Sequence, residues 1–284
     1  DEEKFVLSCL KSTYVSSHGN FTNYFEEKIK KLTKSKNVIA VSSGTAALHL
    51  SLIGLGVERN NEVLVSPITF VATVNVIKYC NAIPHFVDVS SKTGCIDPKI
   101  LNDYLMKTTI IHKKKCYNKN SKRLIKSLIV THVLGHSAEI FKIKKICKKF
   151  KIHLVEDAAE AIGSYHNKKH LGTFGDIGVI SFNGNKTITC GGGGVLLCSS
   201  LSLFKKIKHI SQQSKKKHKW EFLHDQVGYN YRMPSLNAAL GLGQLKKLKL
   251  ILKSKKNFFL KYQKNLKDIK DIKILDEPYN SKSN

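Results

Sequence analysis

A chain of 284 residues with 42% apolar content can bury a sizeable core, which excludes a disordered polypeptide and leaves room for one large α/β domain and part of a second. The net charge of +27 raises nucleic acid or an anionic membrane as partners, but only Arg59, Arg123 and Arg232 are arginines among 48 basic residues. Lysine pairs and triplets at 113–115, 144–145, 148–149, 215–217 and 255–256 are spread along the chain, which predicts solvated helix faces and no nucleic acid partner.

In chain order, Phe21, Phe25, Ile29 and Leu32 recur at helical spacing after Asn20, and 34–37 break the pattern before a strand at 38–41. A strand at 63–65 leads into a helix ending at Tyr79, and 83–89 reads as the next strand. Residues 106–127 are basic and poor in apolar side chains, which predicts a surface excursion. A strand at 128–130, a helix at 140–150 and strands at 152–155 and 177–182 follow, and one long helical pattern runs from Ser235 to about Leu260. No internal repeat is visible. Short apolar strands alternating with amphipathic helices predict a mostly parallel sheet covered on both faces, with ligand sites at the C-terminal ends of the strands.

The most apolar stretch, 63–77, is broken by Ser66, Pro67, Thr69, Thr73 and Asn75 and is too polar to span a membrane. The acidic start, Asp1, Glu2, Glu3, does not resemble a signal peptide. Seven cysteines without a CxxC pair predict free thiols, no metal site and a cytoplasmic location.

Four segments at strand ends carry chemistry. In Ser42-Ser43-Gly44-Thr45-Ala46-Ala47-Leu48, Gly44 lets the backbone approach an anion and the following amides open a helix, an arrangement that suits phosphate or serves only as a cap. Phe70, in 67–73, sits just past a strand, where its ring can stack on a planar cofactor or pack in the core. In 155–161, Asp157 ends a buried strand; a carboxylate there can hold a protonated pyridine nitrogen, or cap a helix. Lys186 follows the segment Ser181-Phe182-Asn183-Gly184-Asn185 and precedes the glycine run 191–194, which clears space beside it for a cofactor.

The order SSGTAAL, TFVAT, EDAAEA, SFNGNK-TITCGGGG and GYNYRMPSLNAALGLGQL resembles the DegT/StrS family of pyridoxal-phosphate (PLP) dependent sugar aminotransferases from Phe21 to about Leu250. The segments SFNGNK, His218-Lys219-Trp220-Glu221 and VGYNYRMPSLNAAL are most similar to the branch that makes 4-amino-4,6-dideoxy UDP-sugars for legionaminic acid and related surface glycans. The resemblance implies the aspartate-aminotransferase-like fold type I of PLP-dependent transferases, α/β with a mostly parallel sheet sandwiched by helices. It also implies an N-terminal segment 1–20, a large PLP-binding domain at 21–245 and an incomplete small C-terminal domain starting at 246–284. The family runs on by roughly a hundred residues more, an ordinary domain's length, so the chain reads as a fragment or an unusually short protein.

By motif, the resemblance implies that Lys186 carries the cofactor through a Schiff base and shuttles the proton. Asp157 meets the pyridine nitrogen, Phe70 stacks on the ring, and Gly44, Thr45 and Ser181 hold the phosphate. Glu160 stands near the cofactor where relatives often have His or Gln. Asn230 reaches the phosphate of a neighbouring subunit, which makes a homodimer with shared sites. The implied reaction moves an amino group from L-glutamate to C4 of a UDP-4-keto-6-deoxy-N-acetylhexosamine. A sugar dehydratase on the same fold has histidine in place of the Schiff-base lysine, which Lys186 opposes; a catalytically silent PLP or nucleotide-sugar binding protein is the alternative from another class. Arg232, kept in a lysine-rich chain, suits bidentate binding of a carboxylate or pairing with a buried acid.

Overall fold

The computed structural model describes all residues of 1–284 except His18, Lys217 and Lys273, so the last lysine of the 215–217 triplet lies outside the described residues. In chain order the elements are α1 (Glu2–Lys11), α2 (Asn20–Thr33), β1 (Asn37–Val41), α3 (Gly44–Gly54), β2 (Glu62–Val65), α4 (Val71–Tyr79), β3 (Ile83–Phe86), α5 (Pro98–Thr108), β4 (Thr109–His112) and β5 (Lys115–Asn118). They continue with β6 (Leu124–Thr131), α6 (Ile140–Phe150), β7 (His153–Asp157), β8 (Tyr165–His166), β9 (Lys169–His170), β10 (Ile177–Ser181), β11 (Gly194–Cys198), α7 (Leu201–Ser211), α8 (Ser235–Leu266) and β12 (Ser281–Lys282).

The main sheet has the order β1-β11-β10-β7-β6-β2-β3. Pairing is parallel from β10 through β3, and β11 lies antiparallel to both β1 and β10. Strand periodicity splits the apolar residues between two cores. Val38 and Ala40 of β1 face the layer of α2, α5, α6 and α8, while Ile39 and Val41 face α3, α4 and α7. The predicted α/β sandwich with helices on both faces is the observed one.

Three expectations change. Residues 106–127 are not a bare excursion: they finish α5 and build the β4–β5 hairpin, which pairs antiparallel with the start of β6. Cys116, Asn118 and Ile125 are buried there, because alternation turns one face of so short a hairpin inward even when its other face is lysine-rich. The strand predicted at 83–89 stops at Phe86; Val87 is still buried, but Val89 bridges to Ile96 instead of extending the sheet. The long helix continues past Leu260 to Leu266. After it the chain returns to the large part, where β12 pairs with β8 and Asn284 donates to the carbonyls of Glu160 and Ile162.

No helix among the described residues is long and apolar enough to cross a membrane, and none of their His, Cys, Asp and Glu side chains gather in groups that could hold a metal.

Candidate active site

Because β1, β2, β6, β7 and β10 all run the same way, their C-terminal ends open on one edge of the sheet, and the turns after them surround a cavity of about 500 Å³. The cavity brings together Gly44, Thr45, Phe70, Asp157, Glu160, Ser181 and Lys186, residues up to 142 positions apart in the chain. Asn230 is not among its lining residues; it is exposed and bridges to Gln212 in the segment that leads to α8.

At one end of the cavity is the N-terminus of α3. Ser43 caps it, its hydroxyl accepting from Ala46 N–H at 3.0 Å and its carbonyl from Ala47 N–H at 3.1 Å. The two earlier amides, of Gly44 and Thr45, are the ones a helix leaves without an internal partner, and the helix dipole adds partial positive charge beside them. Gly44 is required by close packing: a Cβ there would stand 2.8 Å from Ser181 Cβ. Gly194 is equally tight against Ser43, with 2.6 Å from an added Cβ to the Ser43 carbonyl oxygen. Thus the glycines bring β1, β10 and β11 close enough for Ser181 to stand beside the helix N-terminus.

Asp157 forms the floor. It ends β7, is 4% exposed, and accepts from Thr73 Oγ1 at 2.6 Å and from Ala159 N–H at 3.1 Å. No helix follows it, so the capping alternative fails. Burial pushes its carboxyl above the ordinary aspartate range, and the Thr73 and Ala159 donors, His132 and Lys186 pull in the opposite direction. Behind it, Glu156 points into the core and His132 joins the two: its Nε2–H donates to Glu156 at 3.0 Å, its Nδ1 accepts from Ala138 N–H, and its backbone N–H donates to the Asp157 carbonyl.

Lys186 is on the wall, its side chain 14% exposed and its Nζ 3.0 Å from Glu160 Oε1. Phe70 is 72% exposed at the rim although it lines the cavity, which rules out the core-phenylalanine alternative and leaves an aromatic face open to a planar ligand. A second space of about 400 Å³ continues outward from Lys186 and Glu160, lined also by Leu134, Thr187, Lys255 and Asn284. Burial lowers the Lys255 pKa there, against the opposing pull of Glu160.

Thr69, Thr131, His132, Leu134 and Lys255 also line the site and were not singled out in the sequence. Thr69 and Thr73 lie in the TFVAT segment, Thr69 in the turn before α4 and Thr73 in the first turn of that helix, and their hydroxyls bond at 3.0 Å. Nothing local marks Thr131 or Lys255. A cavity with a helix N-terminus for a phosphate, a buried carboxylate, an open aromatic face and a single lining lysine among the described residues fits PLP in size and in donor set.

The aminotransferase family DegT/DnrJ/EryC1/StrS matches residues 1–284. GDP-perosamine synthase of Escherichia coli O157:H7 is 36% identical over 271 residues, covering 95% of this chain and 70% of that protein. UDP-4-amino-4,6-dideoxy-N-acetyl-beta-L-altrosamine transaminase of Campylobacter jejuni serotype O:23/36 is 32% identical over 262 residues, covering 91% of this chain and 66% of that protein. Among solved structures, a DegT DnrJ EryC1 StrS aminotransferase from Brucella abortus superposes with a TM-score of 0.89 at 25% identity, over 99% of this chain and 72% of that one. Helicobacter pylori PseC, an aminotransferase involved in the biosynthesis of pseudoaminic acid, gives 0.83 at 28% identity, over 95% and 68%. With the family matched from end to end, the chain belongs to the DegT/DnrJ/EryC1/StrS aminotransferases and is a PLP-dependent sugar aminotransferase.

Proposed function

We propose that the enzyme transfers an amino group from L-glutamate to C4 of a nucleotide-linked 4-keto-6-deoxy sugar, in the synthesis of surface-glycan amino sugars. The observation that carries this reading is the placement of one lysine amine and one buried carboxylate on the walls of a single cavity whose end is a helix N-terminus. PLP, when bound, supplies the electron sink for removing the donor's α-proton. The Gly44 and Thr45 amides and the Ser181 hydroxyl would hold its phosphate, Phe70 would offer a face to its ring, and Asp157 would hold a proton on its pyridine nitrogen. Lys186 Nζ would hold the cofactor and would be the base that takes the proton from the donor's Cα. Glu160, within hydrogen-bond distance of Nζ, holds that amine at the cavity wall when it is charged. Asn230 is exposed and outside the cavity of its own chain, which supports a role for it in the site of a second copy.

Two nucleotides are argued by the relatives. The UDP-linked N-acetyl sugar is supported by the Campylobacter transaminases, and a GDP-linked sugar by the GDP-perosamine synthases, of which two are 36% and 35% identical to this chain. The higher identity favours the GDP-linked keto sugar. All seven cysteines are unpaired, which supports a reducing compartment such as the cytoplasm.

The purified protein is expected to absorb in the visible with PLP bound, and borohydride is expected to trap the cofactor on Lys186, located by peptide mass. Lys186→Ala is expected to lose the trapped adduct and all turnover. An adduct on another lysine overturns the assignment. Parallel assays of GDP-linked and UDP-linked 4-keto sugars, following 2-oxoglutarate and the mass of the aminated product, decide the nucleotide. Cofactor binding without turnover of either sugar would overturn the proposed substrate class.

A further inference from the structure

We propose that Thr131, Thr69 and Thr73 form a directed chain of hydroxyls that keeps Asp157 ionised and thereby sets the protonation of the cofactor's ring nitrogen. The inference rests on the reading of Asp157 as the partner of that nitrogen. It assigns a positioning role to three residues of separate segments: the turn after β2, the first turn of α4 and the last residue of β6.

With Asp157 ionised, the direction of the chain follows from counting protons. Asp157 is 4% exposed and Thr73 is 1% exposed, so neither side chain can rely on water, and a carboxylate in that position requires donors from the protein. One oxygen takes the Ala159 N–H at 3.1 Å. The other takes the only hydroxyl proton of Thr73, at 2.6 Å. Having spent that proton, Thr73 Oγ1 can only accept, and Thr69 Oγ1 donates to it at 3.0 Å. Thr69 has then spent its own, so the 2.9 Å contact between Thr69 and Thr131 must have Thr131 as donor. Three aligned O–H dipoles therefore end on the carboxylate, and each bond polarises the next.

The arrangement differs from that of two other helical threonines. The hydroxyls of Thr33 and Thr108 donate to the carbonyls four residues back, those of Ile29 and Tyr104. For Thr73 the residue four back is Thr69, and there the side chain, not the carbonyl, is the partner. Burial pushes the Asp157 carboxyl toward its neutral form, and the Thr73 hydroxyl is the strongest single influence opposing it. A neutral Asp157 would leave the pyridine nitrogen without a counter-charge and weaken the electron sink.

The test reconstitutes the protein with PLP labelled with ¹⁵N in the ring and reads the nitrogen by NMR in the wild type, Thr73→Val, Thr73→Ser, Thr131→Val and Asp157→Asn. The wild type and Thr73→Ser are expected at the protonated position. Thr73→Val is expected to move toward the unprotonated position and to slow the glutamate half-reaction by about tenfold, the loss of one hydrogen bond to a charged group. Thr131→Val, which removes only the remote end of the chain, is expected to move the signal in the same direction by less. If Thr73→Val does not fold, Thr131→Val carries the test. A wild-type signal in the folded valine variants, with a displaced signal in Asp157→Asn, overturns the hydroxyl chain alone. An unmoved signal in Asp157→Asn overturns the reading of Asp157 and this inference with it.

Discussion

Gly44 sits where a methyl group has no room. An added Cβ would meet Ser181 Cβ at 2.8 Å and Oγ at 3.0 Å, and both residues border the helix N-terminus proposed to take the phosphate. Gly44→Ala is therefore expected to cost about 1–3 kcal/mol of stability by overpacking, and to weaken PLP binding more than the stability loss explains, because relief of the clash moves Ser181 or the first amides of α3. Titration of the apoprotein with PLP, beside a thermal melt, separates the two. Unchanged affinity would remove Gly44 from the phosphate site. Residues of this kind were legible in the sequence because strand-end position and side-chain chemistry coincide in them: Gly44, Asp157, Ser181 and Lys186 each follow or finish an apolar run. Phe70 was ambiguous, since an aromatic past a strand end is equally at home in the core, and only its 72% exposure decides. Thr131 and His132 are not legible in the sequence because their partners, Thr69 and Glu156, are 62 and 24 positions away, and no local pattern encodes such pairings.

The element that closes the floor of the site is the turn-rich stretch between β7 and β10, and two buried side chains pin it. Glu156 is fully buried and accepts from Gly172, Phe174 and Gly175 N–H as well as from His132. Burial alone would raise its pKa, but these donors hold it below the ordinary glutamate range. His170 is 2% exposed and uses both ring nitrogens in its neutral form, Nε2 accepting from Gly163 N–H and Nδ1–H donating to the Leu171 carbonyl. Burial drives its pKa down to about 4. The unfolded chain therefore takes up the His170 proton near the ordinary histidine value of about 6.5, before the folded chain does. Its stabilising contribution is complete above that value and is lost progressively as the pH falls toward about 4. The Glu156 contribution, with the folded pKa lowered, is present above the unfolded carboxylate value and is lost only in more acidic solution. In His170→Phe the melting temperature at neutral pH is expected to fall, because the Gly163 donor and the Leu171 acceptor lose their partner. The slope of melting temperature against pH between about 6.5 and 4 is expected to flatten. A slope equal to that of the wild type would show that other groups govern acid lability. Such pinning was opaque in the sequence for the same reason as the β4–β5 hairpin: Lys168, Lys169 and the 113–115 triplet give these stretches a surface composition, while single residues, His170 and Cys116, decide that they are anchored.

At the scale of the molecule the features that bear on assembly lie on one segment. Trp220, Phe222 and Val227 are 79%, 81% and 80% exposed, and the same stretch leads to the exposed Asn230. Large apolar side chains at that exposure are costly to leave in water and suit burial against a second copy. The segment is held to its own subunit on the far side: Ser42 N–H donates to the Tyr231 carbonyl, and Tyr229 and Tyr231 pack against the buried His49 of α3. The helix that presents the Gly44 and Thr45 amides thus also braces the residues flanking Asn230, so a partner docked there would be placed relative to both sites at once. Opposing association is the net charge of +27 on each chain, whose repulsion between exposed lysines is screened by salt. Two consequences follow for a homodimer with shared sites. Sedimentation is expected to show tighter self-association at moderate than at very low ionic strength, the reverse of an interface held by opposite charges. Mixing inactive Lys186→Ala and Asn230→Ala subunits is expected to restore activity, up to about a quarter of the wild-type level per site if subunits exchange at random. The hybrid places both defects on one of its two sites and leaves the other intact. An active monomer, or verified hybrids without activity, would return Asn230 to a role within its own subunit and leave the apolar segment to be explained by a different partner.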